Sequence, residues 1–159
     1  MAMTTTRTDQ TVSLRPAAGR DLPAVERLLT ASSLPLTGVA ENLESFVVAE
    51  TGAGELVGVA GLELCCNNAL LRSVAVDAAW RRHGVGRQLV ERVIADAESR
   101  GVRALYLLTT TAEHYFPSFG FTRTTRDAVP EEVRATAEFQ GACPASAVVM
   151  SRELVAVSA

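Results

Sequence analysis

The hydrophobic pattern changes its period across one short stretch, Arg81-Arg82-His83-Gly84-Val85-Gly86-Arg87. Ahead of it, Leu70 to Val76 is apolar apart from Arg72 and Ser73, the pattern of a strand buried on both faces. Behind it, Leu89, Val90, Val93, Ile94 and Ala97 recur at helical spacing, and Gly101 closes the segment as a C-cap. A strand that feeds an amphipathic helix through a glycine turn requires layers of sheet and helix, hence an α/β class of fold. The same turn leaves backbone N–H groups open at a helix start, where the helix dipole favours an anion. Its glycines let a phosphate come close to the main chain, and Arg81, Arg82 and Arg87 add positive charge. A pyrophosphate is the natural guest.

Spacing separates the phosphate-binding possibilities. A P-loop needs Lys followed by Ser or Thr after its second glycine, whereas Gly86 is followed by Arg87 and Gln88. A dinucleotide fingerprint needs a small third residue where Leu89 stands, and a βαβ unit at the amino end. What remains is R-x-x-G-x-G, from Arg81 to Gly86.

Along the chain, Met1 to Gln10 has the composition of a disordered tail, and Val12 to Arg15 reads as a first strand. Asp21 is placed as an N-cap for a helix whose stripe is Leu22, Val25, Leu28 and Leu29. Ser32 to Gly38, which contains Pro35 and Gly38, is a loop or a broken helix. Phe46 to Ala49 and Leu56 to Leu64 form a hairpin around Thr51-Gly52-Ala53-Gly54. Ala104 to Leu108 is a strand, a short helix capped by Thr110 or Thr111 runs to Phe119, Glu131 to Phe139 is a further helix, and Ala145 to Met150 is the last strand. With no repeat and no internal linker in 159 residues, a single domain over residues 11–159 is expected.

Composition narrows the function. A net charge of -3 supplies no general basic face, so a nucleic-acid partner is not expected. No apolar run approaches the ~20 residues that span a bilayer, and the Thr-rich start lacks the apolar core of a secretory signal. Cys65, Cys66 and Cys143 are odd in number and two are adjacent, which argues against a disulfide framework and for a reducing cytoplasm. They lack the ligand spacing of a metal site, so no metal is expected.

The R-x-x-G-x-G turn resembles the Q/R-x-x-G-x-G/A motif of the GNAT superfamily of acyl-coenzyme A-dependent N-acetyltransferases. Phe119-Gly120-Phe121 matches that superfamily's later aromatic-Gly-aromatic signature, and the resemblance covers Val12 to Met150. It implies a central mixed, mostly antiparallel sheet flanked by helices, acetyl-coenzyme A as cosubstrate, and acetyl transfer to an amine by direct attack in a ternary complex. Carried over by position, the amides of Arg81, Arg82, His83, Gly84, Val85, Gly86 and Arg87 hold the pyrophosphate. Val74, Ala75 and Val76 carry the pantetheine arm, the N–H of Val74 serves as oxyanion donor, and Phe116 falls among the cofactor-contacting residues. The superfamily's usual general acid, a Tyr four residues before the glycine, is here Phe116. Its neighbour Tyr115 would point about 100° away around a helix. The proton for the leaving thiolate then comes from Tyr115, from water or from a Thr hydroxyl.

For the base, Glu63 stands out because an acid inside the apolar run Leu56 to Leu64 is costly unless it faces a cleft; an outward-facing place on a hairpin strand is the other reading. Arg72 shares strand parity with Val74 and Val76, so it is expected on the cofactor side, gripping a substrate carboxylate; a salt bridge to an internal acid is its alternative. The strings Leu70-Leu71-Arg72-Ser73-Val74-Ala75-Val76, Leu107-Leu108-Thr109-Thr110-Thr111-Ala112-Glu113, Arg134-Ala135-Thr136-Ala137-Glu138-Phe139 and Cys143-Pro144-Ala145-Ser146 resemble the arsenic-resistance N-acetyltransferase branch. A related branch acetylates the α-amine of phosphinothricin-like amino acids, including arsinothricin. Such substrates carry a second acidic group, for which Arg72, Ser73, Thr109 and Arg134 are the candidates. A non-catalytic acyl-coenzyme A sensor, or acetylation of another amine or a peptide, are the competing functions. A homodimer, with Leu154 to Val157 contributing, is a further implication of the resemblance.

Overall fold

The structure is a computed structural model that describes residues 11–154. The expectations of a disordered tail over residues 1–10 and of a role for residues 155–157 in dimerisation lie outside the described residues. Seven strands hydrogen-bond in the order β1-β2-β3-β4-β5-β7-β6. They are β1 Val12–Pro16, β2 Phe46–Thr51, β3 Leu56–Cys65, β4 Asn68–Val76, β5 Ala104–Thr109, β6 Thr122–Thr124 and β7 Val148–Glu153. The sheet is mixed: β1 with β2, β2 with β3, β5 with β7 and β6 with β7 are antiparallel, while β4 with β5 is parallel. The helices are α1 Leu22–Ala31, α2 Val39–Asn42, α3 Val85–Ser99 and α4 Glu131–Arg134.

The described chain divides into two compact units, residues 11–61 with 73–93 and residues 62–72 with 94–154. In the first, Val25, Leu28 and Leu29 of α1 form a core with Val39, Leu43, Phe46, Val48, Val59 and Ala75. Val25, Leu29, Val39, Phe46, Val48 and Val59 are sealed from solvent, and each contributes roughly 1.5–3 kcal/mol of burial. In the second, Cys65, Leu70, Val129, Val133 and Val149 form a core against which Tyr106, Leu108 and Phe139 pack.

Asp21 occupies the N-cap position of α1 but makes no side-chain cap bond. Its carboxylate instead accepts from Arg15 at 2.8 and 3.0 Å and from the Ala18 N–H at 2.7 Å. Three other local expectations are corrected. The helix before Phe119 shrinks to a single 3-10 turn, Phe116–Phe119. Thr109 Oγ1 takes the Ala112 N–H at 2.9 Å, bending the chain ahead of Pro117. The helix from Glu131 stops at Arg134, where Thr136 Oγ1 donates to the Val133 carbonyl at 2.7 Å, and a wide turn follows over Glu138–Ala142. The last strand begins at Val148 after a turn closed by Ala147 N–H to the Pro144 carbonyl, and it pairs with β6, a three-residue strand too short for a periodic signal.

Candidate acetyl-donor and acceptor sites

β4 departs from regular alternation at Ser73, which has φ 61, a left-handed conformation. A left-handed residue interrupts the extended backbone on which side-chain alternation depends. Parity therefore does not carry across it, and the argument that Arg72 faces the same side as Val74 and Val76 is corrected. Val74 and Val76 are half-buried, whereas Ala75 is buried in the core beneath α1.

Beyond β4, Asp77 Oδ1 accepts from the Ala79 N–H at 2.9 Å and its own N–H donates to the Val57 carbonyl at 2.8 Å, which fixes the exit of the strand. Arg82 at φ 71 and Gly84 at φ 80 both adopt left-handed backbone, and Gly84 accepts from Gln88 N–H at 3.1 Å as α3 begins. No atom lies within 4 Å of where a β-carbon on Gly84 would stand, so its main chain is open to a ligand. Val85 is buried, and its side chain with that of Leu89 meets Gly58 of β3, seating the start of α3. The amides of the first helical turn lack an intrahelical acceptor by geometry alone. Of the side chains, Arg81 donates to the Val76 carbonyl at 3.2 Å, Arg87 pairs with Glu91 at 3.6 Å in solvent, and His83 sits edge-on to Trp80 with centroids 6.0 Å apart. A cleft of about 750 Å³ in the same unit is lined by Val76, Asp77, Ala78 and Arg81 together with Arg20 and Arg27.

In the second unit the predicted residues fall in four places. Glu63, Arg72 and Glu138 form one cluster: Arg72 Nη1 donates to Glu63 Oε1 at 2.8 Å, and Arg72 Nε lies 3.4 Å from Glu138 Oε2. The Arg72 side chain is 0% exposed, that of Glu138 5% and that of Glu63 15%. Burial pushes the Glu138 carboxyl above the ordinary carboxylate range, against the pull of Arg72. Phe116, in the position of the superfamily's usual acid, is buried in an aromatic cluster with Phe119 and Phe121. Tyr115 precedes the 3-10 turn, 38% exposed, with its ring edge-on to Phe116 at 5.3 Å and Phe119 at 5.2 Å. Thr109 is committed to the turn described above. Arg134 lines a groove of about 370 Å³ with Arg126, Glu131, Ala135, Phe139 and Gln140. There Arg126 lies 5.6 Å over the Phe139 ring, and Gln140 Nε2 donates to the Arg134 carbonyl at 2.6 Å.

The model of the Acetyltransferase (GNAT) domain matches residues 42–123, more than half of the chain and inclusive of β4, the open turn and α3. An amino-acid acetyltransferase of Mycobacterium tuberculosis is 30% identical over 76% of this chain and 74% of its own length. The chain belongs to the GNAT acetyltransferase family. Its members take the acetyl group from acetyl-coenzyme A. The amino-acid acetyltransferase of Escherichia coli is 36% identical over 42% of this GNAT chain, which spans about 15% of the length of that relative. Among solved structures, a Mycobacterium tuberculosis protein in complex with CoA and NLQ is 25% identical with a TM-score of 0.77, covering 90% of this chain and 99% of the other. N-acetylglutamate synthase from Neisseria gonorrhoeae, complexed with coenzyme A and N-acetyl-glutamate, shares the fold at 24% identity and a TM-score of 0.78, over 91% of this chain and 35% of that one.

The left-handed, open backbone at Gly84 with Arg82 and Arg87 near it is compatible in chemistry with the diphosphate of coenzyme A. Among the described residues no group of three or more His, Cys, Asp or Glu is disposed to hold a metal ion, and no helix is long and apolar enough to cross a membrane. Burial raises the Cys65 thiol to about 12 and the Cys143 thiol to about 11, so both stay protonated. Sequence reasoning did not single out Glu138 or Arg126. The signal for Glu138 was available: an acid between Ala137 and Phe139, in a segment read as a helix.

Proposed function

We propose that the protein transfers the acetyl group of acetyl-coenzyme A to the α-amine of a small amino acid that bears a second acidic group, of the phosphinothricin or arsinothricin type. The observation that carries this reading is the left-handed main chain at Arg82 and Gly84 just ahead of α3, with open space beside Gly84. Its amides, through Arg87, take the pyrophosphate, while Val74, Ala75 and Val76 take the pantetheine arm. Holding amine and thioester together lowers the barrier by up to ~7–11 kcal/mol of prepaid entropy. The Val74 N–H stabilises the oxyanion of the tetrahedral intermediate. Glu63, the most exposed acid of its cluster, accepts the amine's proton, and water protonates the departing thiolate. Arg134, with Arg126, provides the cations for the second acid of the substrate, and Arg72 holds Glu63 in place. The strings around Arg72, Thr109 and Arg134 support the arsenic-resistance branch, and the free thiols at Cys65, Cys66 and Cys143 suit a reducing cytoplasm.

The test has two stages. Calorimetry with coenzyme A is expected to give binding, and its absence from folded protein overturns the proposal. Thiol release from acetyl-coenzyme A is then followed over a panel of glutamate, phosphinothricin, arsinothricin, neutral amino acids, polyamines and peptides. Acidic amino acids are expected to react fastest; preference for peptides or polyamines overturns the substrate class. Binding without turnover on any amine indicates an acyl-coenzyme A sensor.

A further inference from the structure

The cleft of about 750 Å³ beside the exit of β4 has no part in the acetyl-transfer scheme, and all of its walls belong to the first unit. Its size falls within the roughly 300–1,000 Å³ of small-molecule sites. One wall is a single face of α1 and the turn before it, where Arg20, Ala24, Arg27, Leu28 and Ala31 recur at helical spacing. The other wall is Leu56 at the start of β3 with Val76, Ala78 and Arg81 at and beyond the end of β4. Between its cations the lining is therefore apolar and, at the alanines, short.

Three guanidinium groups border this lining. Arg27 is exposed, and among the described residues it makes no hydrogen bond or ion pair. Arg81 folds back from the glycine turn: its Nε donates to the Val76 carbonyl at 3.2 Å, which leaves its Nη donors uncommitted among the described residues. Arg20 adds charge beside Asp21, whose carboxylate is already held by Arg15. The other acids of the lining, Glu55 and Asp77, are exposed, and Asp77 Oδ1 accepts from the Ala79 N–H. Guanidinium groups recognise a phosphate or carboxylate, the apolar wall suits a flat or aliphatic body, and the two carboxylates accept from hydroxyl or amino groups. A phosphorylated purine nucleoside offers all three: an anion, a ring, and donors on ribose and base.

We propose that this cleft binds a phosphomonoester carried on a purine nucleoside, with Arg27 and Arg81 as the phosphate-binding residues. Two sources share that chemistry. One is the phosphorylated ribose and adenine of coenzyme A held at the adjoining turn, a source that rests on the acetyl-transfer reading above. The other is a free nucleotide, which does not depend on it.

Calorimetry on the full chain uses AMP as the probe and adenosine as its uncharged counterpart. AMP is expected to bind, and adenosine to bind at least about tenfold more weakly. Arg27→Gln removes the charge of an exposed side chain, so Tm is expected to stay nearly unchanged while the Kd for AMP rises at least about tenfold. Gly84→Val, at the turn, is expected to leave the Kd for AMP within about twofold, because the cleft and the turn hold different groups. Two further arms identify the source. If coenzyme A supplies the phosphate, it binds at least about tenfold more tightly than dephospho-coenzyme A, Arg27→Gln abolishes that preference, and saturating coenzyme A displaces AMP. If a free nucleotide supplies it, AMP binds protein already saturated with coenzyme A. Absence of AMP binding, or AMP binding that Arg27→Gln leaves unchanged, overturns the proposal. Failure to bind coenzyme A while AMP binding still depends on Arg27 counts against the acetyl-transfer reading instead and leaves the nucleotide site standing.

Discussion

A β-carbon added to Gly61 would lie 2.4 Å from Cζ of Phe46, its cross-strand partner. Phe46 is 0% exposed, and its Cε1 and Cε2 stand 2.5 and 2.7 Å from the same point. Phe46 cannot swing into solvent without opening the core beneath α1. Gly61→Ala is therefore expected to cost about 2 kcal/mol or more, read as a lower urea midpoint at unchanged slope. Combining it with Phe46→Leu should recover part of the loss, and simple additivity of the two would disprove the clash.

Asp21 and Arg15 set a pH dependence of stability. The hydrogen bond from Arg15 leads the causes that hold the Asp21 carboxyl at about 2, below its ordinary 3.8. A depressed carboxyl stabilises the fold above the unfolded value, and this contribution is lost as pH falls from about 4 to 2. Asp21→Asn is expected to destabilise by about 1–2 kcal/mol at pH 7, discounted for the partial exposure of Arg15, and to differ little from the unaltered protein near pH 2. Denaturant titrations at several pH values check this, and a constant gap between the two proteins would refute it.

Gly84 combines left-handed backbone with open space beside it. Gly84→Val meets no neighbour, so its cost to folding is the backbone strain of about 1–2 kcal/mol. It does place methyl groups where a phosphate must approach the amides. The Kd for coenzyme A is expected to rise at least about tenfold with a small fall in Tm. Unchanged affinity in calorimetry would remove the diphosphate from this turn.

Tyr115 tests the source of the leaving group's proton. Tyr115 is 38% exposed, and with water as the proposed proton source Tyr115→Phe is expected to change kcat by less than about threefold. A loss beyond about tenfold, with an altered basic limb of the pH profile, would assign the acid to Tyr115.

The local elements of this fold were legible before any coordinates. The apolar runs of β3 and β4, the helical stripe of α3 and the glycine turn ahead of it depend on residues within a few positions of one another, and such short-range regularities survive in the order of the amino acids. The left-handed turn at Arg82 and Gly84 lies where the glycine motif had put a break between strand and helix, for the same reason. Competing local hydrogen bonds from Thr109 and Thr136, which weaken helices by margins too fine for pattern reading, cut short the two later helices. Tertiary structure alone decided the rest. The left-handed residue at Ser73 interrupts the alternation by which Arg72 had been placed on the same side as Val74 and Val76. The partners of its guanidinium, Glu63 on the neighbouring strand and Glu138 from a turn far along the chain, meet it only through space, because a buried charge takes its counter-ions from whatever the fold brings within reach.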